Sequence, residues 1–194
     1  MARLPDPRIR ERLREQAVDY VLSHGMGDLT LRPLAKVLRT NARMLIYHFG
    51  SREGLMREIL ARLREREDAH IQTWLHASKK RRTLPEFLRW HWKHLSAPQV
   101  RSAARLILEL YALALRHPRY YPGVLEDPLA YWQKLTEQAG VDSKVDTIEA
   151  TLLLAATRGL LLDLCATGDR ARVGRAMNLF AQLVESHATR AKRQ

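Results

Sequence analysis

The apolar residues of this chain recur at helical spacing along nearly its whole length, between residues that typically begin or end helices. In the first such segment, Ile9, Leu13 and Ala17 follow one another every four residues after Asp6, which can cap the helix. No segment shows the sustained alternation of polar and apolar residues that a half-buried strand requires. The sequence therefore predicts an all-α fold.

Two short helices near the N-terminus are separated by only a tight turn. The first begins after Thr30, and the second runs from Ala42 to about Phe49. Two short helices joined in this way are typical of a helix-turn-helix. We therefore predict a three-helix DNA-binding domain over residues 1–50 and a larger helical domain over residues 51–194, whose first helix, ending near residue 77, links the two.

The third helix has one apolar face and one polar face. With Leu45 placed in the core, Arg43 and Tyr47 lie about 160° and 200° away around the helix, whereas Phe49 returns to the core side. Arginine is suited to bidentate contact with guanine in the major groove, and a tyrosine hydroxyl can bind a phosphate oxygen. This outward face predicts double-stranded DNA as a partner.

The net charge supports a polyanionic partner without locating its site. The chain has 33 Lys and Arg against 21 Asp and Glu, a formal charge of +12, which favours nucleic acid or a membrane surface. Residues 1–65 contain 13 basic and 8 acidic side chains, and residues 66–194 contain 20 and 13. Since neither end holds the excess, charge alone does not identify the binding region.

Composition argues against secreted and membrane-spanning proteins. Cys165 is the single cysteine, so no disulfide can form within the chain, which fits a reducing cytoplasm. The most apolar stretch, residues 152–164, is interrupted by Arg158 and Asp163 and is shorter than the roughly 20 residues of a membrane span. The N-terminal residues are too charged for a signal peptide. We expect a cytoplasmic protein with no membrane partner.

No arrangement typical of an active site is present. His91 and His94 lie three residues apart on a predicted helix, which can suit a metal, but no third ligand accompanies them. There is no phosphate-binding glycine loop, Ser-His-Asp order or pair of carboxylates. We therefore expect no catalytic residue, no metal and no cofactor. Two alternatives stay open: a helical enzyme that uses a cavity in the second domain, and a non-specific nucleic-acid-binding protein.

A set of short stretches in residues 8–60 points to a family. The stretches run from Arg10 to Ala17, from Gly25 to Leu31, over Leu34 and Ala35, from Thr40 to Phe49, and from Gly50 to Leu55. Together they resemble the DNA-binding domain of the TetR family of bacterial transcriptional regulators. The resemblance implies a sequence-specific regulator, a repressor released by a ligand, which binds an inverted-repeat operator as a homodimer.

The resemblance also implies roles for single residues of the first domain. Thr30 would bind a phosphate through its hydroxyl and the helix N-terminus, and Arg52 would contact a phosphate. Tyr47 and His48 would lie near the DNA backbone. The residues facing the major groove would be Asn41, Ala42, Arg43, Met44 and Tyr47.

Two positions depart from the pattern of the family. Arg39 stands where the family commonly has a turn glycine, so that either the turn differs or Arg39 adopts a left-handed conformation at a cost of about 1–2 kcal/mol. Ile46 stands in the usual tyrosine position, and the tyrosine is displaced to Tyr47. The phosphate contact is expected to shift accordingly.

Aromatic residues concentrate in the second domain and, with the family resemblance, predict a pocket for a small apolar or aromatic ligand. We expect its walls to be Trp90, Trp92 and Trp132. The polar groups that orient the ligand would be His91, Tyr111, Tyr131 and Arg158.

The last two predicted helices carry apolar faces too extensive to leave in water. Two such helix pairs, one from each subunit, would form a four-helix bundle across a two-fold axis. The residues expected in this dimer interface are Leu152, Ala155, Ala156, Gly159, Met177, Phe180 and Val184.

Overall fold

The computed structural model describes residues 6–26, 29–76, 83–121, 128–138, 141 and 145–191. Nine α-helices account for most of this part of the chain, which contains no β-strand, so the predicted all-α class is confirmed. The helices are α1 (Pro7–His24), α2 (Leu31–Val37), α3 (Ala42–Phe49), α4 (Arg52–His76), α5 (Leu84–Leu95), α6 (Arg101–Arg116), α7 (Pro128–Gln138), α8 (Thr147–Thr167) and α9 (Arg170–Ala191).

The described residues divide into two compact units. The first contains the residues up to Ala69 together with those from Leu106 to Tyr121, and the second contains His70–Arg105 and the residues from 128 onward. This division differs from the predicted boundary at residue 50, because α1 to α3 share one core with the first part of α4 and the last part of α6. Both α4 and α6 therefore begin in one unit and end in the other.

The first unit is built around apolar residues from five helices. On α6, Leu106, Leu110 and Ala114 recur at four-residue spacing and are buried in this core, while Leu115 is 73% exposed. The α6 helix is thus amphipathic rather than apolar on most faces. The largest side chains that are completely buried in this core are Met26, Leu34, Leu45, Leu55, Met56, Ile59 and Leu106.

Local capping contacts define where α1 begins and where α3 begins and ends. Asp6 begins α1 by accepting a hydrogen bond from the Arg8 N–H at 2.9 Å. Asn41 begins α3 in the same way, with its Oδ1 accepting from the Met44 N–H at 2.9 Å. Gly50 ends α3 at a φ of +79°, a conformation that glycine adopts without strain. The ends of α3 are therefore defined by local chemistry.

The turn between α2 and α3 contains Arg39 in a left-handed conformation, at a φ of +53°. The Arg39 N–H donates to the Lys36 carbonyl at 3.2 Å, and the Thr40 N–H donates to the Ala35 carbonyl at 2.9 Å. This pair of bonds is a Schellman motif, which normally places glycine where Arg39 stands. The sequence left open whether the turn differs or Arg39 adopts a left-handed conformation. The structure shows the second: the turn keeps the Schellman geometry, and the backbone strain lies at Arg39.

An ion-pair network joins α1 to α4 inside the first unit. Its pairs are Arg10–Glu58, Arg14–Glu11, Arg14–Glu58, Arg14–Glu65, Arg62–Glu15, Arg62–Glu65, Arg66–Glu15 and Arg66–Asp19. The hydrogen bond from Arg14 holds the pKa of Glu65 below its ordinary value. Burial raises the pKa of Glu15, but hydrogen bonds from Arg66 and Arg62 bring the net value below the ordinary one. The charged middle of α4 is thus matched to α1.

The second unit contains two apolar clusters, and strong caps begin its helices. Thr83 and Glu86 form a complete capping box at the start of α5, as do Asp146 and Glu149 at the start of α8. Gly168 ends α8 in a left-handed conformation at a φ of +72°. One cluster is centred on Phe87, and the other contains the buried residues Trp92, Ala104, Leu161, Leu164, Val173 and Met177.

The α8 helix is 21 residues long and, by length and composition alone, could cross a membrane. The sequence predicted no such segment, because Arg158 and Asp163 interrupt it. Leu153, Leu161 and Leu164 are buried in the second unit, so one side of α8 packs in a core, and 33% of its most apolar stretch is buried. A single helix of this kind gives weak support for a span.

Candidate nucleic-acid interface

The α3 helix presents one face to its own core and the opposite face to solvent. Leu45 and Phe49 are buried, as the sequence predicts. Arg43 is exposed, and Ile46 and Tyr47 are 38% and 43% exposed. Since these three residues are spaced by three and four positions, they form a single outward stripe. Ile46 is a member of this stripe that the sequence reasoning did not assign to the DNA-facing set.

One side chain of α1 holds the end of α3 in place. The Arg10 Nε donates to the His48 carbonyl at 3.2 Å, and the same guanidinium pairs with Glu58 on α4. The Arg10 guanidinium carbon also lies 5.5 Å from the centre of the Phe49 ring, a cation–π contact. Arg10 therefore links three helices and fixes the orientation of α3, a role that sequence spacing could not reveal.

The segment that contains α2 and α3 carries positive charge only. Residues 29–52 include Arg32, Lys36, Arg39, Arg43 and Arg52, with no Asp or Glu among them. The first four of these side chains form no ion pair within the described part of the chain. Five acidic residues of the first unit lie instead in the network between α1 and α4. The helix-turn-helix segment thus carries an excess of positive charge.

The remaining predicted DNA contacts lie at the ends of helices. Thr30 is exposed at the start of α2, and its side chain makes no capping hydrogen bond. Asn41 is exposed, while Ala42 and Met44 are half-buried. The Arg52 guanidinium donates to the Leu29 carbonyl through Nε at 3.3 Å and Nη2 at 3.2 Å. Its phosphate contact stays a prediction, since this side chain already binds the chain ahead of α2.

His48 occupies a different position from the rest of the predicted set. Its side chain is only 6% exposed, and neither ring nitrogen has a hydrogen-bond partner in the described part of the chain. The ring meets Tyr47 edge-on, with the centroids 5.2 Å apart. Burial weighs against direct contact between His48 and DNA, and favours the packing alternative for this residue.

Three residues of the predicted ligand pocket lie in one aromatic cluster of the second unit. Trp90 is half-buried, and its ring centre lies 4.7 Å from that of Trp74. His91 is 5% exposed; it stacks on Phe87 at 5.5 Å and meets Trp132 edge-on at 5.8 Å. These rings are in mutual contact, so the structure describes a packed aromatic cluster at this place.

Two other predicted pocket residues lie in different cores. Trp92 lies in the second apolar cluster, and Tyr111 lies in the first unit, on the part of α6 that packs with the N-terminal helices. The Tyr131 side chain lies outside the described residues. Arg158 is half-buried, and burial lowers the pKa of its guanidinium. The pocket stays a prediction.

The predicted dimer residues divide between an exposed face and the core. Leu152 is 61% exposed, and Ala155 and Gly159 are exposed on the same side of α8, with Ala156 half-buried beside them. Met177 is 1% exposed in the core of its own unit, so its assignment to a subunit interface is corrected.

On α9 the predicted face points inward. Phe180 and Val184 are half-buried and pack against the clusters of the second unit. The exposed apolar residues of this helix are Leu179 and Leu183, at 56% and 60%. Because these two residues lie four positions apart on the opposite side of α9 from Met177, they are the ones available to a partner.

Three solved structures resemble this chain over most of its length. SCO7518 from Streptomyces coelicolor A3(2), a proposed transcriptional regulator, is 25% identical at a TM-score of 0.68, over 88% of this chain and 96% of that one. GusR from Salmonella enterica is 19% identical at 0.57, over 92% and 96%. EbrR, a multidrug binding protein complexed with imidazole, is 22% identical at 0.55, over 91% and 92%. No protein-family model and no curated protein matches the sequence.

The chain therefore has the all-helical fold of a class of transcriptional regulators. This likeness in fold confirms the family resemblance that the sequence predicts.

Proposed function

We propose that this chain is a sequence-specific DNA-binding regulator that reads DNA with α3. The observation that carries the proposal is the charge of residues 29–52, which include five basic residues and no acidic one. The outward stripe of Arg43, Ile46 and Tyr47 lies within this segment and offers both a hydrogen-bonding and an apolar group to base edges. Arginine suits guanine, and an aliphatic side chain suits the methyl group of thymine.

Selection of bound sequences from a random DNA pool tests this function. We expect an inverted repeat, because a two-fold dimer imposes its symmetry on the site. Arg43→Ala should cost about 1–3 kcal/mol per half-site and relax the preference at one position, as loss of a bidentate base contact does. Arg175→Ala is the matched control, since Arg175 is an exposed arginine on α9 in the second unit.

Salt dependence separates the base contact from the phosphate contacts. Loss of a phosphate contact at Arg52 should reduce the salt slope by about one on selected and random DNA alike. Arg52→Ala should in addition weaken the selected sequence more than random DNA, because it also removes the two bonds to the Leu29 carbonyl. A wild-type protein that bound random and selected DNA equally well would instead indicate the non-specific alternative. Equal losses on both kinds of DNA for Arg43→Ala would remove its reading role.

The regulator is proposed to act as a homodimer through the exposed apolar residues of α8 and α9. These residues are Ile148, Leu152, Ala155, Gly159, Leu162, Leu179 and Leu183. Their spacing on α8 repeats every three or four positions, which is the pattern of a helix face that packs on another helix. Covering this face with a second copy would also account for the apolar length of α8 without a membrane, and so supports a cytoplasmic protein.

Light scattering on Leu152→Asp tests the dimer. We expect monomers at micromolar concentration, because the substitution would bury a charge in an apolar interface. Leu115→Asp is the control, since Leu115 is 73% exposed on α6 in the first unit. A Leu152→Asp chain that stayed dimeric would contradict the interface.

The remaining parts of the proposal are that the regulator represses transcription and that a small ligand releases it from DNA. They are supported by the likeness to EbrR, a multidrug binding protein. Thermal shift with apolar and aromatic compounds, followed by titration of each hit into operator-bound protein, tests them. By linkage, a compound that weakens operator binding must itself bind less tightly in the presence of operator.

A further inference from the structure

A carboxylate on α6 holds the connection between α1 and α2. The Met26 N–H donates to the Glu109 Oε1 at 2.9 Å, and the Met26 side chain is fully buried in the core of the first unit. Hydrogen bonds to an ionised acceptor are roughly twice as strong as those between neutral groups. Met26 is thus fixed both by its backbone and by its side chain.

The neighbouring glycine leaves room for that carboxylate. Gly25 has a φ of +80°, and a Cβ built at this position would lie 2.8 Å from the Glu109 Oε2. Any residue larger than glycine would therefore meet the carboxylate as well as adopt a strained backbone. The φ of Gly25 by itself requires glycine here, and a Cβ would also press on the flexible end of Glu109 that accepts from Met26. A side chain at this position would therefore disturb the contact with Met26.

The other end of the same connection is held from α4. The Leu29 carbonyl accepts the two bonds from Arg52 described above. The α2 helix begins at Leu31, two residues later. Each end of the connection that places α2 is therefore bound by a charged side chain, and the two side chains come from α4 and α6, the helices that continue from one unit into the other.

We propose that Glu109 is a positioning residue that sets operator affinity by fixing the place of α2 and α3. The short Schellman turn joins α2 to α3, so that a displacement of the start of α2 also displaces α3. The proposal rests on the proposed DNA-binding function and adds a point at which α6 controls it. Release of the Glu109 contact with Met26 lowers the fraction of protein whose α3 is correctly placed.

Charge alone predicts that loss of Glu109 strengthens DNA binding, whereas loss of a positioning residue weakens operator binding, so the two explanations give opposite results. Replacing Glu109 by alanine removes a negative charge, and by charge alone a more positive protein binds DNA more tightly. Our proposal predicts that Glu109→Ala binds the selected operator about tenfold more weakly, because loss of a hydrogen bond to a charged group changes an equilibrium by about this factor. Glu137→Ala removes the same charge from an exposed position on α7 and is the matched control.

The experiment combines operator binding with hydrogen exchange on the full chain. Well below the unfolding temperature, the Met26 amide of Glu109→Ala should exchange about tenfold faster than in the wild type, and Glu109→Gln, which keeps an acceptor oxygen, should lie between the two. Affinity for random DNA should not fall. A residue that served only to stabilise the fold would lower the unfolding temperature without weakening operator binding by the folded protein.

Two results would overturn the proposal. One is a Glu109→Ala protein that binds the operator as tightly as Glu137→Ala, and the other is an unchanged exchange rate at Met26. If the wild type selects no preferred sequence, the proposed function itself fails and the operator role of Glu109 fails with it. The exchange measurement separates that outcome from a failure of the hydrogen bond alone.

Discussion

Replacing Arg39 with glycine should stabilise the first unit. Arg39 holds a φ of +53°, which costs a residue with a side chain roughly 1–2 kcal/mol. Glycine removes that strain but loses about 0.5–1 kcal/mol through its greater freedom in the unfolded chain. The midpoints of the two ranges give an expected net gain of about 0.75 kcal/mol, with both Schellman hydrogen bonds retained because they are backbone bonds.

The alanine variant at the same position separates strain from charge. Arg39→Ala removes the same guanidinium but keeps a Cβ, so it should leave the strain in place and give no such gain. Denaturant unfolding, followed at one protein concentration, measures the difference between the two variants. In a thermal scan the gain corresponds to about 1–4 °C for a chain of this size. An Arg39→Gly protein no more stable than Arg39→Ala would refute the reasoning from backbone strain.

Acidification should weaken the ion-pair network, since the pKa values of Glu15 and Glu65 are lowered in the folded protein. The contribution of these two carboxylates to stability is fully present above their ordinary pKa and is lost as pH falls through the lowered values. The unfolding temperature should therefore decrease once the pH is below about 4.5, and it should decrease less steeply in Glu65→Gln. Gly25→Ala should cost about 1–3 kcal/mol of unfolding free energy, and more than Gly168→Ala, where a Cβ would meet nothing within 4 Å. If Ile46 contacts the methyl group of an operator thymine, replacing that thymine with deoxyuridine, which lacks only the methyl group, should weaken binding of the wild type but not of Ile46→Ala. Additive losses of binding free energy in a titration would show that Ile46 and this methyl group are not in contact.

The ends and faces of α3 could be predicted from the sequence because local chemistry determines them. Asn41 and Gly50 mark the ends through a side-chain cap and a positive φ, and Leu45 and Phe49 mark the buried face by their spacing. The strain at Arg39 could be anticipated for a similar reason, since a Schellman turn has a fixed backbone geometry.

The faces of α9 could not be predicted in this way. Apolar residues lie on two sides of this helix, and the periodicity does not tell which side the chain covers with its own core. The structure buries Met177 and exposes Leu179 and Leu183, the reverse of what the predicted interface required. That choice depends on contacts with α8 and with α5, and α5 is distant in sequence.

Long-range packing also decided the positions of two other residues. Tyr111 was expected among the aromatic residues of the second domain, but the register of α6 places it in the first unit. The role of Glu109, one helical half-turn earlier, depends on a partner 83 residues away along the chain. No local pattern in the sequence links those two segments.

The ion-pair network has a consequence for how the first unit approaches DNA. Four arginines of α1 and α4 are paired with carboxylates, whereas the segment from Arg32 to Arg43 contains no Asp or Glu. Positive charge is therefore distributed unevenly over the first unit. The field of a polyanion exerts a torque on this unit that turns α2 and α3 toward the polyanion before contact. The protein therefore needs less rotational diffusion to reach its binding orientation, and productive encounters with DNA are more frequent than the net charge of the chain alone would give. This advantage declines as salt is added, because salt screens the charges.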